Sequence, residues 1–109
     1  MKVKIGYLTY EVREVPYIEV NGNEAANGEA DYEKIEIQIR KALLPPKKRE
    51  VLLHEILHCV CVDGNIELSE NEIEVLAAGL TRFLVDNISL VKKEVLQVER
   101  EAIDNKVKK

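Results

Sequence analysis

The stretch KKREVLLHEILHCVCVDG, residues 47–64, decides how the rest of the chain is read. It follows Pro45-Pro46, runs without glycine or proline as far as Gly64, and holds both histidines of the 109-residue sequence, His54 and His58. Proline is tolerated in the first turn of a helix because its missing N–H would have no intrahelical partner there. Glycine takes the left-handed conformation that closes a helix at little steric cost. Together these signals predict a helix from about Pro46 to Val62, stopped at Asp63-Gly64. Residues four apart on a helix project from one side, one turn apart, so the imidazoles of His54 and His58 can converge on a single ion.

The segments before this helix read as extended chain. KIEIQIR, residues 34–40, alternates without exception, with Ile35, Ile37 and Ile39 on one face, and predicts a strand. Val3, Ile5 and Tyr7 alternate with polar residues and glycine, and Tyr17-Ile18-Glu19-Val20 follows Pro16, which predicts a further strand or hairpin region. Between them NGNEAANGEAD, residues 21–31, with two Asn-Gly pairs and small residues, predicts a loop or turns.

Beyond the helix, Ser69-Glu70-Asn71-Glu72 has the spacing of a capping box, in which serine and glutamate satisfy each other's backbone N–H groups. A second helix is expected to start there and to bury Ile73, Leu76, Ala77, Leu80, Phe83 and Leu84. From Leu84 the three-four spacing continues through Ile88, Val91, Val95, Val98 and Ala102, on a helix that either passes through Asn87 or restarts near Ser89. This seam permits packing within the domain or a homo-oligomer through the C-terminal helix. The expected class is α+β: a small N-terminal β-sheet, an active-site helix and one or two further helices. The expected division is a domain over residues 1–87 and a helical extension over 88–109.

With 46% hydrophobic and 33% charged residues the composition is that of a globular protein, and its length suits one domain. A net charge of −4 supplies no general basic field for phosphates or anionic lipids, so neither nucleic acid nor a membrane surface is an expected partner. Cys59 and Cys61 are too close in sequence to staple distant segments and read as reduced thiols. The alternating N-terminus differs from the apolar run of a signal peptide, and the expected compartment is the cytoplasm.

The glutamate after the first histidine gives the helix its chemistry. His54-Glu55-Ile56-Leu57-His58 is the H-E-x-x-H arrangement of zinc metalloproteases, in which the histidines hold Zn2+ and the glutamate serves as general base toward a water at the ion's open position. The competing structural reading is two histidines hydrogen-bonded on a half-buried face. Such a site needs a third protein ligand, and no third histidine exists. The acids of the second helix are the candidates: Glu72 and Glu74 first, Glu70 and Asp63 behind them. Glu72 already has a capping duty, but helical periodicity leaves the choice open. Cys61 lies on the same stripe as His58, yet about 10 Å of helix rise separates it from His54, so the three cannot easily meet at one tetrahedral ion.

REVLLHEILHCV followed by IEVLAAGLTRFLVDN resembles the small HExxH proteins of phages and prophages, minimal relatives of the ImmA/IrrE-type metallopeptidases, over roughly residues 28–87. The resemblance implies a minimal zincin-like domain. It also implies that the third ligand is the glutamate opening an E-x-x-A/C-N pattern, matched here by Glu74-Val75-Leu76-Ala77-Ala78. Ala78 stands where that family commonly carries asparagine.

The expected function is therefore a zinc-dependent hydrolase acting on a protein or peptide substrate, in the host cytoplasm if the source is a phage. His54, His58 and Glu74 hold the metal and Glu55 is the base. An extended substrate is expected to pair beside the strand carrying Ile35 to Ile39. The alternatives are a metallopeptidase-like binding or regulatory module without turnover and an oligomeric structural protein. No tyrosine falls within a motif that would mark it as stabilising a transition state.

Overall fold

The computed structural model describes residues 1–20 and 23–97. Its elements run β1 (Lys2–Ile5), β2 (Leu8–Val15), β3 (Ile18–Val20), β4 (Asn23–Ala26), β5 (Gly28–Asp31), β6 (Glu36–Arg40), α1 (Pro45–Gly64) and α2 (Glu70–Leu90), followed by a π-helical turn at Val91–Leu96. The class is α+β, as the patterning predicts.

Four strands form one mixed sheet in the order β1-β2-β6-β5, and β3 pairs with β4 in a second, two-stranded sheet. β2 and β6 are parallel, with Val12 opposite Ile37 and Glu14 opposite Ile39, whereas β1 and β5 flank them antiparallel. The alternation in β6 works as read: Ile37 and Ile39 are buried, and with Ile5, Tyr10 and Val12 they form the sheet's inner face. Helix α1 lies across that face and contributes Val51 and Cys59 to the same core. The strand starts later than its pattern, however. Asp31 Oδ1 accepts the N–H groups of Glu33 and Lys34 at 3.0 Å, which folds residues 32–35 into a turn and puts Ile35 at φ 54°.

Two expectations about boundaries change. The segment 21–31 is not a loop throughout, because Asn23–Ala26 and Gly28–Asp31 are strands and β5 completes the main sheet. Its small residues mark a close approach instead of a turn: a Cβ on Gly28 would lie 2.6 Å from Val51 Cγ1 and 3.2 Å from Glu55 Cγ. Helix α1 closes one residue after its glycine, at Asn65 with φ 53° and ψ 46°, whose N–H bonds back to Val62. Asparagine tolerates the left-handed region, so it serves where glycine was expected.

The capping box at the start of α2 is complete. Glu72 N–H donates to Ser69 Oγ at 3.1 Å and Ser69 N–H donates to Glu72 Oε1 at 2.8 Å. The helix passes through Asn87 with a kink (φ −128°, ψ 24°), where the Asn87 side chain donates to the Phe83 carbonyl. Of the six residues expected to be buried, only Ile73 and Ala77 are; Leu76, Leu80 and Phe83 are 40–48% exposed. The cause is geometric, since among the described residues α2 packs chiefly on α1, and one facing helix covers a narrow stripe. Val98 and Ala102, the end of the expected seam, and the terminal residues 105–109 lie outside the described residues. Among the described residues no helix is long and apolar enough to cross a membrane.

Candidate metal centre

Helix α1 presents two adjacent rows of side chains. Val51, Glu55 and Cys59, each four residues from the next, face the sheet and are buried. His54 and His58, one residue behind, fall at the border where α2 begins. The rings lie 4.9 Å apart between centroids, with the two Nε2 atoms 3.2 Å from each other. His54, Glu55 and His58 offer ligand atoms that all lie within 4.8 Å of one another, a cluster able to hold a metal ion.

A carboxylate from α2 closes over this pair. Glu70 Oε1 lies 2.6 Å from His54 Nε2 and Glu70 Oε2 lies 3.0 Å from His58 Nε2. Glu70 is the first residue of α2, directly after the Ser69 cap, so the capping box that starts the helix also fixes where this side chain emerges. Around an ion with bonds of about 2.0–2.1 Å, tetrahedral neighbours stand about 3.3 Å apart. The 3.0 and 3.2 Å separations approach that spacing, and the 2.6 Å one is tighter. The donor set, two imidazole nitrogens and a carboxylate, is one that zinc accepts.

The other expected residues are placed as follows. Glu74 lies one turn along α2 from Glu70 and lines the same cleft as His54 and Glu55, but the carboxylate in contact with both imidazoles is that of Glu70. Spacing could rank these acids only by helix face, and Glu70 and Glu74 share one. Glu72 is turned to its capping duty, which holds its carboxyl below the usual range through the hydrogen bonds with Ser69.

Glu55 is only 6% exposed, between Val51 and Cys59 on the sheet side of the histidines. Burial is the main cause that pushes its carboxyl up to about 7; the nearby His54 opposes the shift, and the charges of Glu70 and Glu29 reinforce it. A carboxyl poised near neutrality suits a general base. Gly28 sets its surroundings, because only a residue without a Cβ lets β5 lie this close over the Glu55 side chain.

The cleft extends to both sides of the histidines. Beside His54 it is lined by Asn27, Gly28, Glu50, Glu55, Glu70 and Glu74, with Lys47 as its cation. Beside His58 it is lined by Tyr32, Val62, Ile66, Leu68 and Ile73, together with Cys61, Glu67 and Ser69. The strand along this cleft is β5, which among the described residues pairs on one side only; β6, expected to offer the free edge, is paired on both sides. Tyr32, in the turn directly after β5, was missed by sequence reasoning, since no motif marks it. Burial above all, with the charges of Cys59 and Glu55, pushes its phenol up to about 12, so it remains a hydrogen-bond donor at neutral pH. Cys59 is buried against Tyr10, and burial raises its thiol; it packs and does not reach the cleft.

No family model matches this chain, and neither a curated protein nor a solved structure matches it at a significant level.

Proposed function

We propose that the chain is a metal-dependent hydrolase, most simply a zinc metallopeptidase, with His54, His58 and Glu70 as the protein ligands and Glu55 as general base. The observation that carries this reading is the convergence of two imidazole nitrogens and a carboxylate within 3.2 Å of one another, beside a buried glutamate. When bound, a zinc ion polarises a carbonyl and acidifies the water at its open position. His54 and His58 bind as neutral ligands and Glu70 offsets part of the ion's charge. Glu55 accepts a proton from the attacking water and returns it to the leaving amine. The free edge of β5 can take an extended peptide by main-chain hydrogen bonding. The resemblance to phage-encoded HExxH proteins points to the same chemistry, with Glu74 in place of Glu70 as third ligand.

The test is metal analysis of the purified chain with hydrolysis of a casein or peptide mixture, for the wild type and Glu55→Gln. About one ion per chain in both, with cleavage only in the wild type, supports the reading. Cleavage unaltered in Glu55→Gln, or no metal retained by either, overturns it.

A second observation favours self-association. Leu76, Leu80 and Phe83, spaced four and three apart, leave an exposed apolar row on α2 that no other described element covers. A second copy packing through this face fits the heptad-like continuation of the sequence.

A further inference from the structure

Helix α2 outruns the helix it packs on. Its first residue, Glu70, stands against His54 and His58, and its residues 78–86 lie beside Pro46, Arg49 and Glu50, so the two helices run antiparallel. Past Asp86, α1 has no further turn to offer, because it begins at Pro45. Residues 87–96 therefore project beyond the body for about 15 Å, and the molecule measures 56 × 30 × 26 Å. The apolar face continues onto this overhang. Leu76, Leu80, Leu84 and Ile88 succeed one another at four-residue steps, with Phe83 and Val91 beside them. Ile88, Leu90 and Val95 are 46–55% exposed, much like Leu76, Leu80 and Phe83. A continuous face of this length amounts to several hundred Å², comparable to the roughly 800 Å² that each partner buries in a standard interface.

We infer that two copies of the chain pair antiparallel along this face, about a two-fold axis at Phe83, each overhang covering the other copy's Leu76–Phe83 row. The inference rests on the self-association reading, gives it an orientation, and makes no use of the metal. Two features of the sequence favour it. Phe83 stands midway between Leu76 and Leu90 and also midway between Glu74 and Lys92, so a two-fold axis there brings leucine to leucine and lysine to glutamate. The helix is also polarised in charge. Glu70, Glu72 and Glu74 are its only charged residues before Arg82, whereas the overhang carries Lys92 and Lys93 with one acid, Glu94. Antiparallel pairing lays the basic end of each copy along the acidic end of the other. Parallel pairing gathers the glutamates at one end and the lysines at the other, and such like-charge contacts are costly.

The test combines light scattering of the full-length chain with disulfide trapping. Cys61→Ser removes the more accessible native thiol, Cys59 being buried. In that background Leu76→Cys and Leu90→Cys are made separately, with tags of different mass, and mixed in a glutathione redox buffer so that exchange reports the equilibrium pairing. Both leucines are exposed, so the substitutions are compatible with folding, and the circular dichroism spectra check it. The mixed disulfide, Leu76→Cys to Leu90→Cys, is expected to exceed each homodisulfide about tenfold. Homodisulfides that equal or outnumber it, or no disulfide in a chain that is dimeric by mass, overturn the antiparallel pairing and leave self-association standing. A full-length chain that stays monomeric at high concentration overturns both.

Discussion

Glu70 spans the two histidines, one carboxylate oxygen to each imidazole, although the residue itself is among the more exposed in the site at 68% of its side chain. An exposed side-chain pair of this kind contributes little to stability by itself. Its position makes sense if a cation belongs between the three groups.

Metal affinity separates Glu70 from Glu74. Glu70→Gln is expected to weaken zinc binding by more than about 100-fold, beyond what loss of an outer partner costs, and Glu74→Gln by less than about tenfold. Competition with a chromophoric chelator measures both. Loss of affinity in Glu74→Gln alone would place the ligand one turn further along α2, in the register that the family resemblance implies.

The buried carboxyl of Glu55 predicts a pH dependence of the metal-free protein. Its folded-state pKa of about 7 lies above the ordinary value of 4.5, so the folded chain holds this proton more tightly than the unfolded chain does. The stability it contributes is full below about pH 4.5 and is lost as the pH rises toward 7. Glu55→Gln removes that loss. In urea unfolding of the metal-free protein the variant should gain on the wild type between pH 5 and pH 8, by on the order of 2–3 kcal/mol. A difference that stays constant across this range contradicts the assignment.

Gly28→Ala should destabilise the protein by about 1–3 kcal/mol, because the new methyl group must displace Val51 or the stem of Glu55. Adding Val51→Ala opens the space, so the double variant should lose less than the sum of the two single changes. Denaturant midpoints of the four proteins decide it, and strict additivity argues against the contact.

For the apolar row on α2, light scattering at high concentration is the measurement. If the row joins two copies, Phe83→Asp should return the chain to its monomer mass without changing zinc content. A wild type that is monomeric throughout shows the row to be unpaired.

The sequence made α1 legible because prolines, a helix stop and a four-residue histidine spacing all point the same way, and the Ser69–Glu72 box is present in full. It misled where one residue type serves two purposes. The glycine and alanines of 21–31 read as a loop, yet Gly28 is small because a helix lies against it. The periodic stripe of α2 announced a buried face, but burial depends on how many elements stand opposite, and among the described residues α1 is the main one. The choice among Glu70, Glu72 and Glu74 was invisible for a similar reason: it depends on how the segment 65–69 delivers α2 to α1, which helical periodicity does not encode.

The narrow seam under α2 also makes the domain unequal in its resistance to opening. Ile73 and Ala77 are the buried residues of this helix, so little apolar area ties it to the body, whereas the sheet and α1 share a continuous core. An ion bridging His54 and His58 to Glu70 would act as a clasp between two cooperative units. With zinc bound, the backbone amides of α2 should exchange with deuterium about as slowly as those of α1. After chelation they should exchange far faster while those of β2 and β6 stay protected, because removing the clasp frees one helix without dissolving the sheet.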